Sequence, residues 1–488
     1  MIKKTWLIFL LLITIPAYNI KATVIIKAKI SGKIPEKIFY TSGEQGYCFW
    51  GFVQSVQPSI FGTFKIKLKL KEKTGFVKIW ISGKEYTLIV EKDGEYEISC
   101  IVDAKKQNFK FIKGNLPELQ KFYNSLPNPV HINQSVYEFS KDTTVRAIIK
   151  HIKQAKNEQI AYLQQLFSES KISKSVFELV KNDRKCYYAT VQGTIALLKM
   201  YKIYENHESF PKKYYQMWKN AFTNFDTGKV IYKQSPWYYN YLENYLFFKE
   251  YTADDFSVDT LMKIYNDNLI HTHSINIAKQ YLAKEQLNFY IPVYLYIAAL
   301  QKQYEKELIG LFNQLKKEFP RNPFTKYSQP LIEDIKRYYF NDKKIDTDIR
   351  IINNYNKINS LTECLNIFKG YKVYVDVWAS WCSECIDEFK HYGQVINYLQ
   401  EKNIKILYIS TDENKNDLKW RSLMLYYKLK GYHIRTNKQF LKDLRKIYNQ
   451  NNILILPWHI LIDENGNIID KNLPLPANFE KFIKAIEQ

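Results

Sequence analysis

Cysteine is scarce in this chain, with six in 488 residues, and only Cys382 and Cys385 lie close together. That rules out a disulfide-framed scaffold. A second C-x-x-C is missing, so the other half of a four-cysteine zinc site is not there. Long apolar runs are missing beyond the first residues, and nothing later reaches the ~18 residues that a membrane span needs. A dense basic run is missing too, although the net charge is +22. The lysines are spread along the chain and form no nucleic-acid motif, so no nucleic-acid partner is expected. The excess charge reads as a solvated basic surface or a loose attraction to anionic lipid. No internal repeat is discernible.

Hydrophobic residues make up 46% and charged residues 25%, a balance that implies folded globular domains. At roughly 100–200 residues per domain, about three are expected. The first residues read as a secretory leader. Lys3 and Lys4 precede the uncharged apolar run Trp6–Ile15, Pro16 breaks it, and small residues follow at Ala17 and Ala22. This run is too short to span a bilayer. Cleavage is expected after Ala22, with an uncleaved anchor as the alternative. No cysteine stands at the cut, so no lipid-anchored start is expected.

Residues 23–110 carry a period-two pattern. In Phe64-Lys65-Ile66-Lys67-Leu68-Lys69-Leu70, apolar and basic residues alternate, giving one buried and one wet face. Val24–Ile30, Val77–Ile81 and Tyr86–Val90 are further strands, with Ser31-Gly32 and Ser82-Gly83 as turns. Short strands at this spacing predict a β-sandwich domain. Cys48 and Cys100 fall here, either as two thiols or as a bridge.

Residues 111–345 change to a helical period, with few glycines. The segments Ala147–Phe167, Ser175–Asn182, Tyr188–Tyr204, Lys213–Phe222, Trp237–Tyr251, Thr260–Asn268, Ile275–Leu287, Val293–Phe319 and Leu331–Phe340 are expected helices, punctuated by Pro211, Pro236 and Pro320. The tyrosine-rich stretch Trp237–Tyr241 reads as core or interface. His271 and His273 have no metal-ligating partners at suitable spacing. Cys186 and Cys364 are isolated thiols.

After a polar connection near Asn341–Thr362, strand and helix signals alternate, predicting an α/β domain over 346–488. Tyr371–Ala379 is a strand, Ser380-Trp381 turns the chain, and Cys382-Ser383-Glu384-Cys385 opens a helix. A thiolate, not a thiol, attacks a disulfide. Cys382 stands where unpaired backbone N–H groups and the helix dipole favour negative charge. Cys385, one turn on, can attack the resulting mixed disulfide. Asp376 stands in an otherwise apolar run, on the parity of Trp378.

The segment from Val375 to Cys385, Val-Asp-Val-Trp-Ala-Ser-Trp-Cys-Ser-Glu-Cys, resembles the thioredoxin superfamily active site. More narrowly it resembles the TlpA/ResA branch of exported thiol–disulfide oxidoreductases. Further matching segments follow in order: the strand Ile404–Ser410, the cis-proline loop Leu456-Pro457-Trp458, and the closing hairpin Ile460–Ile469, whose Asn465-Gly466 is a turn signal in its own right. The preceding domains look like N-terminal extensions of some TlpA-like envelope proteins.

The resemblance implies roles for particular residues. Cys382 is the attacking thiol and Cys385 the resolving one. Asp376 is the buried acid that handles the proton of the second cysteine. Glu388 is either a second acid behind the pair or a solvated helix residue. Trp381 covers the site. Leu456 and a cis Pro457 hold an extended client peptide. His433 and His459 are structural or surface residues. Glu384 replaces the proline many relatives have before the second cysteine, which leaves the direction of electron flow open.

The expected architecture is multidomain: leader 1–22, N-terminal β-sandwich 23–110, central all-α domain 111–345 and C-terminal α/β thioredoxin-like fold 346–488. The expected function is an exported protein disulfide reductase of the periplasm or cell envelope. Protein or peptide disulfides are its clients. By resemblance, a membrane thiol carrier of the DsbD/CcdA type resets it. No metal or organic cofactor is implied. The rival readings are a non-catalytic envelope scaffold with a thioredoxin-like dock, and a thiol oxidase or isomerase.

Overall fold

The computed structural model describes residues 23–42, 53–103, 107–126, 132–142, 144–205, 212–223, 230–253, 258–340, 346–449 and 453–487. The expected leader at 1–22 and Cys48 lie outside the described residues. The chain divides into two compact units, one of residues 1–258 and 277–290, the other of residues 259–276 and 291–488.

The first unit opens with eight strands: β1 (Thr23–Gly32), β2 (Ile38–Ser42), β3 (Gln54–Val56), β4 (Thr63–Lys69), β5 (Thr74–Ile81), β6 (Lys84–Glu91), β7 (Glu95–Val102) and β8 (Gln107–Lys113). They form two four-stranded sheets, ordered β4-β1-β7-β8 and β3-β2-β5-β6. Alternation along β4 buries Phe64, Ile66 and Leu68 and leaves Lys65, Lys67 and Lys69 wet. These side chains share one core with Val77, Ile79, Ile81 and Leu88 of the other sheet, the packing of a β-sandwich. Cys100 is buried in that core as a free thiol.

β5 is buried on both faces because helices cover its outer side. Phe76 and Ile89 pack with Leu119, Tyr123, Leu163, Leu166 and Val180 from the helices Pro117–Ser125, Val145–Ser168 and Lys174–Glu205. Gln120 joins the layers by bonding both backbone groups of Ile89, at 3.1 and 2.6 Å. A glutamine can do so because its amide carries both a donor and an acceptor. The segments predicted over 175–182 and 188–204 form one helix, since Asp183, Arg184 and Cys186 between them are buried rather than looped out.

That buried charge is well satisfied. The Asp183 carboxylate accepts from Arg184 Nε at 2.9 Å, from the Tyr123 hydroxyl at 2.8 Å and from the Ser235 hydroxyl at 2.8 Å. The Arg184 guanidinium lies between the rings of Tyr123 and Tyr187, 4.9 and 4.8 Å from their centroids. Removing one partner of such a pair strands the other charge.

The predicted helix Val293–Phe319 is two helices, Lys284–Leu300 and Glu307–Glu318. The break holds Lys302 and Tyr304 at φ +57°, a left-handed conformation that costs non-glycine residues about 1–2 kcal/mol each. Tyr304 is anchored by donation from its hydroxyl to Asp334 at 3.0 Å and by acceptance at its carbonyl from Tyr339 at 2.6 Å. Periodicity alone misses this break because apolar residues continue on both sides of it. Ile275–Leu287 is likewise interrupted, between the helices Ile270–Tyr281 and Lys284–Leu300.

The second unit contains a six-stranded mixed sheet: β9 (Ile349–Ile351), β10 (Val373–Trp378), β11 (Lys405–Ser410), β12 (Gly431–Arg435), β13 (Trp458–Ile462) and β14 (Ile468–Asp470). Its order is β14-β13-β10-β11-β12-β9. β10, β11, β12 and β9 run parallel; β13 and β14 add as antiparallel strands. β10 is central and buried along its whole length, as its nearly unbroken apolar run requires. The predicted strand 404–410 and hairpin 460–469 correspond to β11 and to β13–β14, and Gly466 takes φ +89° in the turn.

We expect Asp183→Ala to lower the unfolding free energy by about 3–5 kcal/mol, with a smaller loss for the apolar double change Asp183→Leu/Arg184→Met. Urea unfolding monitored by helical circular dichroism checks this. A loss below about 1 kcal/mol in the single variant would contradict the account.

Candidate active site

β10 ends at Trp378, and the chain turns through Ala379, Ser380 and Trp381 into the helix Ser383–Glu388. The turn is held from beneath. The buried Asp412, just past β11, accepts the Ser380 N–H at 2.8 Å, the Ser380 hydroxyl at 2.8 Å and the Ser410 hydroxyl at 2.7 Å. Trp378 is fully buried and meets Phe389 edge to face at 5.0 Å. These contacts determine where the next residues stand.

Cys382 is the N-cap of the helix, and its Sγ accepts from the Cys385 N–H at 3.1 Å. The two sulfurs are bonded at 2.01 Å, with the Cα atoms 5.3 Å apart. An N-cap sulfur that accepts a backbone N–H at a helix start is in the position that stabilises a thiolate once the bond opens. After Glu388 the helix tightens into a single 3₁₀ turn, Phe389–His391, and resumes as Tyr392–Glu401.

Asp376 is on β10 and only 1% exposed. Its Oδ2 accepts from the Tyr392 hydroxyl at 2.7 Å; its Oδ1 has no hydrogen-bond partner among the described residues. Burial pushes its carboxyl up to about 7, the Tyr392 bond opposes that rise, and the charge of Glu388 adds to it. The group is thus poised to gain or lose a proton near neutral pH.

Glu388 is half-buried and accepts the Ala477 N–H at 3.0 Å. Trp381 is 53% exposed. The Leu456–Pro457 peptide is cis. Leu456 and Trp381 line one pocket of about 320 Å³ together with Leu441, Leu454 and Arg445. A hollow of about 470 Å³ lies at the amino end of β10, lined by Gly370 and Tyr371, and holds none of the site residues. Among the described residues no cluster of His, Cys, Asp and Glu could hold a metal ion.

Several residues at the site were not singled out by sequence reasoning. Asp412 was legible only as the acid after a strand. Gln303, inside the segment expected as unbroken helix, donates to the Trp381 carbonyl at 3.2 Å, and Lys302 lies 3.6 Å from Asp387 of the active-site helix. His433 and His459 are both fully buried, not surface residues. Burial pushes the first down to about 4 and the second to about 3, so both rings are neutral at physiological pH. His459 Nδ1 lies 3.5 Å from Asp376 Oδ1. A histidine inside the otherwise apolar strand Trp458–Ile462 was the available signal.

Sheet order, the bonded C-x-x-C at a helix start, the buried acid and the cis-proline together define a thioredoxin-like domain with a thiol–disulfide oxidoreductase site. Residues 351–471 match the AhpC/TSA family, and the C-terminal domain is an AhpC/TSA thioredoxin-like domain. The chain is 27% identical over 124 residues to the thiol-disulfide oxidoreductase ResA of Bacillus thuringiensis subsp. konkukian, covering 25% of this chain and 67% of that protein. Solved structures with similarity include the thioredoxin domain of a thiol-disulfide oxidoreductase from Bacteroides vulgatus, at 30% identity over 24% of this chain and 84% of that one, TM-score 0.21. Another is a thiol:disulfide interchange protein from Bacteroides sp., at 27% identity over 25% of this chain and 78% of that one, TM-score 0.22.

The buried carboxyl has a consequence for stability. A carboxyl raised to about 7 on folding stays protonated when its unfolded counterpart, ordinarily near 3.8, has ionised. Its contribution is therefore fully present at acid pH and is lost as pH rises from about 4 to about 7, by up to about 4 kcal/mol. Oxidised Asp376→Asn is expected to match wild type at pH 4 and to exceed it in stability at pH 8. Guanidinium unfolding followed by tryptophan fluorescence at both pH values checks this. An equal difference at the two would sink it.

Proposed function

We propose that this protein is an exported protein disulfide reductase of the periplasm or cell envelope. The observation that carries the reading is the bonded Cys382–Cys385 pair at the start of a helix that follows the strand holding the buried Asp376 carboxyl. In the reduced protein the Cys382 thiolate attacks a client disulfide. One client sulfur bonds to Cys382 and the other leaves as a thiolate. Cys385 then gives up its proton, for which Asp376 is the acceptor, and its sulfur attacks Cys382. The bond between Cys382 and the client breaks, the 382–385 bond forms, and the client leaves fully reduced. Two electrons have moved from the pair to the client.

Glu388, whose charge disfavours ionisation of Asp376, tunes that proton transfer. Trp381 and Leu456 receive the client chain in the pocket they share, with Pro457 fixing the backbone there. Reset requires a second dithiol, for which a membrane carrier of the DsbD/CcdA type is the proposed source. Export rests on the leader pattern at 1–22, and no helix among the described residues is long and apolar enough to cross a membrane. The β-sandwich at 23–110 and the helices of 111–345 are proposed as extension domains that serve the reductase at 346–488.

Insulin reduction by the full chain tests the reading. Cys382→Ser should abolish turnover, and Cys385→Ser should accumulate a mixed disulfide that dithiothreitol releases. Equal turnover by wild type and Cys382→Ser would remove it. The equilibrium potential of the pair against glutathione separates reductase from oxidase, because an oxidising pair would not pass electrons to clients.

A further inference from the structure

Asp376 does not stand alone. Strand pairing places His459 of β13 opposite Asp376, Asp376 opposite Tyr408 of β11, and Tyr408 opposite His433 of β12. All four are at most 2% exposed. Tyr374, two residues earlier on β10, shares the Asp376 face, and its ring stacks on His459 at 5.8 Å and 11°. A polar row across the middle of a sheet costs free energy unless its members bond one another. How they bond is therefore informative.

His459 Nδ1 lies 2.8 Å from the Tyr374 hydroxyl oxygen, while Nε2 has no partner among the described residues. A buried N–H without an acceptor is costlier than a bare nitrogen lone pair. The ring proton therefore belongs on Nδ1, where it donates to the Tyr374 oxygen and faces Asp376 Oδ1. That leaves the Tyr374 proton to point at the Tyr392 hydroxyl oxygen, 3.5 Å away. The Tyr392 proton points in turn at Asp376 Oδ2, at 2.7 Å. Each donor serves the next, and the sequence ends on the carboxylate. Hydrogen bonds arranged in one direction polarise and strengthen one another.

We propose that His459 is a positioning residue of the redox site: its neutral ring heads a one-way hydrogen-bond chain through Tyr374 and Tyr392 that ends on Asp376 and sets how tightly that carboxyl holds its proton. The inference rests on the oxidoreductase reading in one respect, that Asp376 receives the Cys385 proton. The groups facing Asp376 are Tyr374 on its own strand, His459 on β13, Tyr408 on β11, and Tyr392 and Glu388 from the helices. Glu388 opposes ionisation, and Tyr408 has an unpaired hydroxyl. The chain from His459 is the arrangement that favours the ionised form. Without it Asp376 stays protonated to higher pH and becomes a poorer acceptor at neutrality.

The test uses the full-length oxidised protein. The Asp376 carboxyl band, assigned by difference against Asp376→Asn, is titrated by infrared spectroscopy in wild type and in His459→Phe, which keeps an aromatic ring against Tyr374. The midpoint should rise by about one unit in the variant. The pH profile of insulin reduction should move up with it, with its plateau changed less than about twofold. A midpoint that stays or falls overturns the proposal. Nitrogen-15 NMR of wild type is a second measurement that needs no variant: a proton on Nδ1 of His459 agrees, and one on Nε2 overturns. Absence of any insulin reduction by wild type would sink the oxidoreductase reading, while the carboxyl titration and the tautomer would still decide the role of His459.

Discussion

A carboxyl group kept out of water is the constraint on which the acid–base chemistry proposed for the redox site depends. Asp376 lies on the central strand of a sheet covered on both faces, so its charge finds no solvent, and its proton affinity is set by the few dipoles around it. Strand order and register determine which dipoles those are. An antiparallel neighbour brings a histidine, a parallel neighbour a tyrosine, and the helix after the cysteines a second tyrosine. Thiol chemistry at Cys382 and Cys385 is local to one helical turn, whereas the acid–base chemistry proposed to serve it is spread over three strands and a helix.

The turn that carries the cysteines is likewise held by distant parts of the chain. Asp412 grips Ser380 from the end of β11, and Gln303 reaches the Trp381 carbonyl from a break between two helices. Lys419 donates to the oxygen of the same Gln303 amide, which leaves its N–H groups to face Trp381. In the other unit, a buried charge pair joins separate elements. Asp183 and Arg184 tie Tyr123, Tyr187 and Ser235 together, so a long helix, the helix that follows the sandwich and a later turn share one polar knot.

Much of this was legible residue by residue. The alternation of Phe64 to Leu70 announced a strand with one wet face, because a strand's side chains change side at every residue. The switch to helical period after residue 110 marked the change of architecture. The C-x-x-C after a buried strand pointed to its own chemistry, since two cysteines one turn apart at a helix start suit few other purposes. Helix ends were less legible. The break at Gln301–Lys306 carries no proline or glycine, and its left-handed residues are held by Asp334 and Tyr339, which lie some thirty residues further along. His459 was left open between a structural and a surface place for the same reason: a single histidine in an apolar strand does not say what lies opposite.

By itself, then, the sequence determined the classes of element, the fold of the C-terminal domain and the identity of the reactive sulfurs, because these depend on period, spacing and nearest neighbours along the chain. Only the tertiary structure decided which strand faces Asp376, which way the hydrogen bonds run toward it, and that Asp412 and Gln303 steady the active-site turn. Those outcomes depend on register between strands and on contacts between segments far apart in the chain. A one-residue slip in pairing would have turned His459 to the opposite face of the sheet.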